Sequence, residues 1–382
     1  PDAKALVHHV LVYAITPDQI DLIEEADAAD PGSGYTCFGA PFPAEEGGGL
    51  GASAAQGLPE QVGSWVPGNQ PNVLDADTSV YIPKGSKIVM QVHYNMLAGA
   101  PEADLTAFQM VLQSEPTPLV SHTRPLIIHG LDIPADMPEA VNSREYRNYS
   151  DQTIRVSAVT AHMHLLGTRF ASRITHANDS QECLLDIPKW DFSWQQAYRA
   201  PEGQTIDIAP GDSISIECVY DNSAANQPLV NGEQVEPRDV TWGEGTLDEM
   251  CMLYLSIIEP YKPYEPVEPG AATCGGASTC LAQCPEGASQ TDCLLGCGLD
   301  TSCLTCSLSS LLTCTPCAGS FLGLQECFTD CAINTTMLGG DISLCLQDVC
   351  NSGYNEMLGC IDPAIATGSC DSGLAACGIA LP

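Results

Sequence analysis

The stretch Val159-Thr160-Ala161-His162-Met163-His164-Leu165-Leu166-Gly167-Thr168-Arg169-Phe170 alternates apolar and polar positions with the two-residue period of a β-strand. On such a strand Val159, Ala161, Met163 and Leu165 point to one face, and His162 and His164 share the other. Two imidazoles so placed can chelate one ion. Short alternating segments of the same kind, separated by Gly, Pro, Asn and Asp, dominate the chain ahead of its cysteine-rich tail: Ala5 to Ala14, Ser86 to Met96, Thr153 to Phe170, Ser213 to Tyr220 and Glu249 to Ile258. They read as antiparallel β-sandwiches, without long amphipathic helices. A Pro- and polar-rich stretch from Ser114 to Asn148 is expected to divide two β domains.

The 382 residues suffice for two or three domains. A net charge of −35 excludes binding to a phosphate backbone or an anionic membrane surface. No run of 18 apolar residues appears, so no transmembrane helix is expected. Of the 20 cysteines, Cys37, Cys183, Cys218 and Cys251 are scattered, and the other sixteen crowd between Cys274 and Cys377. That number is easiest to understand where disulfides persist, in a secreted, periplasmic or cell-surface protein. The chain opens at Pro1 and reads as a processed product or a fragment. Four prolines between Glu259 and Gly270 mark a stiff linker. In the tail Cys280-x3-Cys284, Cys293-x3-Cys297 and Cys327-x3-Cys331 place cysteine pairs on one helical face, as expected of short helices tied by disulfides. A four-cysteine zinc site is the weaker alternative.

Five of the eight histidines occupy three strand contexts: His8-His9, His93 and His162-x-His164. Around His93 the apolar set Ile88, Met90, Val92 and Tyr94 takes one face and leaves Gln91 with His93 on the other. Adjacent residues of a strand face opposite ways, so His8 and His9 share an ion only if a bulge brings them together. Imidazoles alone leave zinc and copper both open. Met250, Met252 and Tyr254 share one face of their strand, and a thioether beside two imidazoles selects soft Cu(I). His122, His129 and His176 read as structural or surface residues.

His8-His9, Gln91-Val92-His93-Tyr94, His162-Met163-His164-Leu165-x-Gly167 and Asp248-Glu249-Met250-Cys251-x-x-Tyr254, in this order, resemble the copper type II ascorbate-dependent monooxygenases. That family includes peptidylglycine α-hydroxylating monooxygenase and dopamine β-monooxygenase. The resemblance covers roughly residues 1–262. It implies a mainly β fold of two antiparallel jelly-roll β-sandwich domains, residues 1–122 and 123–262. A Pro-rich linker (263–273) and a small, disulfide-rich helical domain (274–382) would follow.

The resemblance also implies two copper ions across an open, solvent-filled cleft. His8, His9 and His93 would hold the electron-transfer copper, with Gln91 helping to orient that site. His162, His164 and Met250 would hold the copper where O2 is activated to hydroxylate an unactivated C–H. Ascorbate or a similar one-electron donor would re-reduce both. Cys251 would pair with Cys218, and Cys183 with Cys274. Tyr254 and Met252 would line the substrate pocket. Peptide-hydroxylating members carry Arg where Thr160 stands, so a peptide ending in glycine is not the expected substrate. Family members have more chain before the His doublet; the first sandwich is therefore expected to lack opening strands here, which another subunit or a longer chain would supply. Two rivals stand beside the monooxygenase: a non-catalytic extracellular assembly or adhesion subunit that self-associates through the tail or the incomplete sandwich, and a copper carrier.

Overall fold

The computed structural model describes residues 1–3, 6–37, 40–42, 59–66, 69, 71–95, 103–230, 232–243, 245–264, 325–340, 342–350, 355 and 359–360. They divide into two compact units, the second holding the tail from Glu265 onward together with two short segments, 44–58 and 149–151.

The first unit is mainly β, as its alternating segments predict. Strand β1 (Val7–Ile15) lies between β2 (Glu60–Trp65) and β4 (Lys87–Tyr94) in an antiparallel three-stranded sheet. One face carries Tyr13 and Ile15, covered by Ile23 of helix α1 (Ile20–Ala29) and by Phe42. Val7, Val10 and Val12 are buried on the other, against Val62, Trp65 and Val92. The face shared by Gln91 and His93 is the better buried side of β4: Gln91 is 8% exposed, whereas Ile88, Met90 and Tyr94 are 36–42% exposed. The reason is position. β4 is an edge strand, and α1 covers the opposite side from that apolar set. The helix itself was not legible in the strand pattern.

The larger part of the unit stacks two sheets. One runs β10 (Tyr198–Arg199), β7 (Ile154–His162), β15 (Met252–Pro260), β5 (Leu119–Ile127) and the short parallel β3 (Thr78–Ser79), with β11 (Ile206–Ile208) also on β7. The other runs β6 (Ala140–Arg147), β12 (Ser213–Tyr220), β8 (Gly167–Thr175) and β9 (Gln181–Ile187). A small hairpin, β13 (Leu229–Val230) and β14 (Glu233–Gln234), stands apart. Leu126, Leu253 and Leu255 from the first sheet and Phe170, Ile174, Ile214 and Ile216 from the second are fully buried. Three covalent or polar ties cross between the layers. Cys218 and Cys251 form a disulfide. The Tyr146 hydroxyl exchanges hydrogen bonds with the backbone of Ile127. The Tyr220 hydroxyl donates to the Met250 carbonyl at 2.9 Å.

Three expectations change. The segment Thr153 to Phe170 is two strands, β7 and β8, because the chain leaves one sheet at residues 163–166 and enters the other. The stretch Ser114 to Asn148 holds β5 and β6, and β5 pairs with β15 in the same sheet as β7. Glu259 and Pro260 still belong to β15, paired with Val120 and Leu119, so the first proline of the expected linker is a strand residue.

Gly167 opens β8 in a close approach: a Cβ there would lie 2.8 Å from Met163 Cε and 3.0 Å from Trp190 Cδ1. Gly167→Ala is expected to lower stability by about 1–3 kcal/mol through overpacking. Denaturant unfolding measures it, and a change below half a kilocalorie would show that Met163 and Trp190 give way.

In the second unit α2 (Gln325–Leu338) is followed by α3 (Ile342–Cys345) and a π-helical turn, Leu346–Cys350. Disulfides Cys327–Cys350 and Cys331–Cys345 tie them, so the two cysteines four apart do lie on one helical face. The other spaced pairs of the tail, and Cys274, lie outside the described residues. Cys183 is an exposed free thiol and does not form the implied bridge, and Cys37 is also unpaired.

Candidate metal centre

Strand pairing brings the first three histidines together. His9 sits opposite His93 across β1 and β4. The register slips between Val7 and His9, and this irregularity lets His8 join the same group of rings despite its neighbouring position. Ring centroids are 5.1 Å apart for His8 and His9, 5.1 Å for His8 and His93, and 4.7 Å for His9 and His93. One nitrogen from each lies within 4.8 Å of the others. Both ring nitrogens of His8 are buried and without a hydrogen-bond partner, an expensive state for an imidazole unless a metal takes a lone pair. Gln91 turns its amide Nε2 to the carbonyl and Sγ of Cys37, each at 3.4 Å, and so ties the Cys37 segment beside this group.

The second set is built at the end of β7. His162 closes that strand opposite Met252, and Thr160 lies opposite Tyr254. His164 lies beyond the end of β7 and is bonded to the two residues that precede Met250, Asp248 and Glu249. His162 Nδ1–H donates to Gln195 Oε1 at 2.7 Å, and the Gln195 amide is oriented by its own bond to the Phe192 carbonyl at 2.9 Å. His164 Nδ1–H donates to the Asp248 carbonyl at 2.9 Å. Both rings are thereby fixed in the tautomer that leaves Nε2 as a lone-pair donor, the arrangement metal-ligating histidines use. Met250 is 5% exposed. The Tyr254 hydroxyl points at Met252 Sδ, 3.6 Å away, so the expected pocket residues Thr160, Met252 and Tyr254 lie on the face that bears His162.

The two sets are not separated by an open cleft. His8 lies 6.3 Å from His162 and 6.4 Å from His164, and His9 lies 6.5 Å from His162, ring to ring. Phe192 stacks on His8 at 4.4 Å and meets His164 edge-on at 6.2 Å. Five imidazoles and one phenyl ring therefore form one close group, in which His8, His162 and His164 are buried and His9, His93 and Phe192 are half-buried. Burial is the leading cause that drives all five histidines below their ordinary pKa, to about 3 for His8 and about 4 for His162. Repulsion between neighbouring imidazoles adds to it for every ring but His93. At neutral pH all five are neutral and offer lone pairs, which is the state a cation requires.

Sequence reasoning missed Phe192, Gln195 and the role of Glu249. Phe192 and Gln195 sit in an irregular stretch with no periodic pattern to flag them. Glu249 is completely buried; its Oε2 accepts the His164 N–H at 2.9 Å and its Oε1 the Leu166 N–H at 2.6 Å. Burial, with the Asp248 charge adding to it, pushes its carboxyl up to about 8, against the N–H groups that favour its charged form. The remaining histidines have other partners: His122 with Glu60 at 2.7 Å, His176 with Asp212 at 2.9 Å, and His129 against the Trp242 ring.

Residues 141–268 match the family model of the copper type II ascorbate-dependent monooxygenase C-terminal domain. The match to that family thus covers the part of the chain that carries His162, His164 and Met250. No curated protein matches the sequence. Solved structures give distant likenesses. A family two carbohydrate esterase from Cellvibrio japonicus is 17% identical over 42% of each chain, with a TM-score of 0.15. The T13 IBDV viral particle is 7% identical over 96% of this chain and 72% of that one, with a TM-score of 0.19. The capsular polysaccharide assembling protein CapF from Staphylococcus aureus is 13% identical over 40% and 33%, with a TM-score of 0.10. The chain thus spans less than half the length of the esterase. Similarity this low carries no argument about function.

Proposed function

We propose that this protein is a secreted copper monooxygenase that hydroxylates an unactivated C–H of a small organic substrate, using O2 and an ascorbate-like reductant. The observation that carries the reading is the convergence of five neutral imidazoles, three of them buried and two half-buried. Among them His8 has two orphaned nitrogens, and His162 and His164 each have Nδ1 committed elsewhere. His8, His9 and His93 would hold one copper, and His162, His164 and Met250 the other. When bound, copper supplies one-electron redox chemistry and the activation of O2.

The chain's own residues do the rest. Gln195 and the Asp248 carbonyl hold the two ring tautomers. Phe192, stacked on His8 and edge-on to His164, places an apolar ring beside both sets. Thr160, Met252 and Tyr254 offer a partly apolar wall without a cation, which suits an amine, a phenol or a lipid fragment better than a carboxylate. The division at residue 122, with a three-His and a His-His-Met half, belongs to the same proposal. So does the extracellular setting, supported by the disulfides Cys218–Cys251, Cys327–Cys350 and Cys331–Cys345 among the described residues.

Metal analysis is expected to give two coppers per chain, with ascorbate-driven O2 uptake. Met250→Ile is expected to weaken Cu(I) at one site by more than the about 10–100-fold that losing an outer hydrogen bond costs, and to leave the three-His copper in place. Equal Cu(I) affinity in both proteins would remove Met250 from the ligand set. Copper without coupled O2 uptake would make the protein a carrier, and no copper at all would leave the assembly subunit.

A further inference from the structure

The Met250 backbone is held from both sides by groups that belong to neither candidate ligand set. Its carbonyl accepts the Tyr220 hydroxyl at 2.9 Å, and the residue just before it is Glu249. The Glu249 carboxyl group takes the His164 N–H at 2.9 Å and the Leu166 N–H at 2.6 Å. Tyr220 and Glu249 are both completely buried. Since β7 ends at His162, the His164 and Leu166 N–H groups have no ladder partner, and Glu249 is what satisfies them.

We propose that Glu249 and Tyr220 form a brace that sets the Met250 thioether against His164, which makes both of them positioning residues for the second metal set. The proposal rests on the copper reading above. Its physical basis is the flexibility of methionine. A side chain with three rotatable bonds fills space adaptably and is a poorly oriented ligand unless its backbone is fixed. One buried carboxyl group spans both sides of the site, because the N–H groups it accepts come from the turn carrying His164 while its own backbone joins Met250 directly. Tyr220 locks the other half of that residue from the facing sheet. Movement of either brace member would change the sulfur-to-imidazole spacing and leave His8, His9 and His93 untouched.

Glu249→Gln tests this with almost no change of shape. The amide keeps one acceptor oxygen and turns an NH2 donor toward backbone donors, so at least one contact becomes donor against donor. Tyr220→Phe removes only the hydroxyl. Three measurements apply to both variants and to wild type: Cu(I) affinity by chelator competition, sulfur scattering in X-ray absorption of the Cu(I) protein, and melting of the copper-free protein. Glu249→Gln is expected to lose the sulfur signal and about 10–100-fold in Cu(I) affinity at one of two sites, the other unchanged. Tyr220→Phe is expected to shift both in the same direction by a smaller factor. A variant that melts earlier yet keeps the wild-type sulfur signal and affinity would overturn the brace, because a merely structural role would give that result. If Glu249→Gln fails to fold, Tyr220→Phe decides alone, and an undiminished sulfur signal there overturns the proposal. A wild-type protein without sulfur scattering would instead remove the copper assignment itself, and the brace with it.

Discussion

His164→Ala is expected to abolish ascorbate-driven O2 uptake, a loss of about 100-fold or more, and to leave one of two copper equivalents bound. The ring is 1% exposed, and its Nδ1 is committed to the Asp248 carbonyl, so only Nε2 is left to face an ion. Removing it leaves the proposed set with His162 and Met250 alone, one donor fewer to hold the ion. Alanine keeps the peptide N–H that Glu249 accepts, so the turn between β7 and β8 persists and the loss reports the ring rather than the fold. His8→Ala is the matched control, because it should remove the other copper equivalent and spare the sulfur signature of the second. Metal analysis with oxygen electrode traces separates the cases. A His164→Ala protein with both coppers and undiminished uptake would show that the HxH pair is not the reactive site. Ring distances of 6.3–6.5 Å between the sets make some cross-talk expected, since deleting one imidazole also relieves repulsion on its neighbours.

How much of this was legible before the fold is instructive residue by residue. The two-residue period placed His162 on the face it occupies, with Thr160, Met252 and Tyr254. It did not reveal that β7 stops at His162. The chain turns there because Glu249, 85 and 83 positions away, takes the His164 and Leu166 N–H groups, and no local pattern records a partner so distant. The His8-His9 doublet carried its own condition, a bulge, and the register slip after Val7 meets it. Gly167 was visible as part of a motif, but its reason, the side chains of Met163 and Trp190 pressed against it, is a packing fact. The closeness of the two histidine sets was not legible at all. It depends on how the β1–β4 sheet and the β7–β15 sheet sit within one unit, and on Phe192, which comes from an irregular loop.

The second large effect concerns the bridge between Cys218 and Cys251. A double Cys218→Ala, Cys251→Ala variant is expected to lose about 3–4 kcal/mol, the chain-entropy value for a closed loop of this length, and to melt about 10 °C lower. The crosslink spans 33 positions and joins the middle of β12 to the residue just ahead of β15. Both cysteines are completely buried, so alanine introduces no unsatisfied polar group, and the measured loss belongs to the crosslink and its small cavity. The bridge also fixes the residue next to Met250. With it gone, the start of β15 keeps the Glu249 and Tyr220 contacts but loses its covalent tie to the facing sheet. Cu(I) affinity at the His162, His164 and Met250 set should therefore fall with stability, whereas the His8, His9 and His93 set, which contains no residue of either strand, should not change. Denaturant unfolding of the copper-free protein with paired Cu(I) titrations checks both parts. A variant that unfolds like wild type would mean that the sheets hold β15 in place without the disulfide, and a fall in affinity at both sites would mean that they respond as one unit.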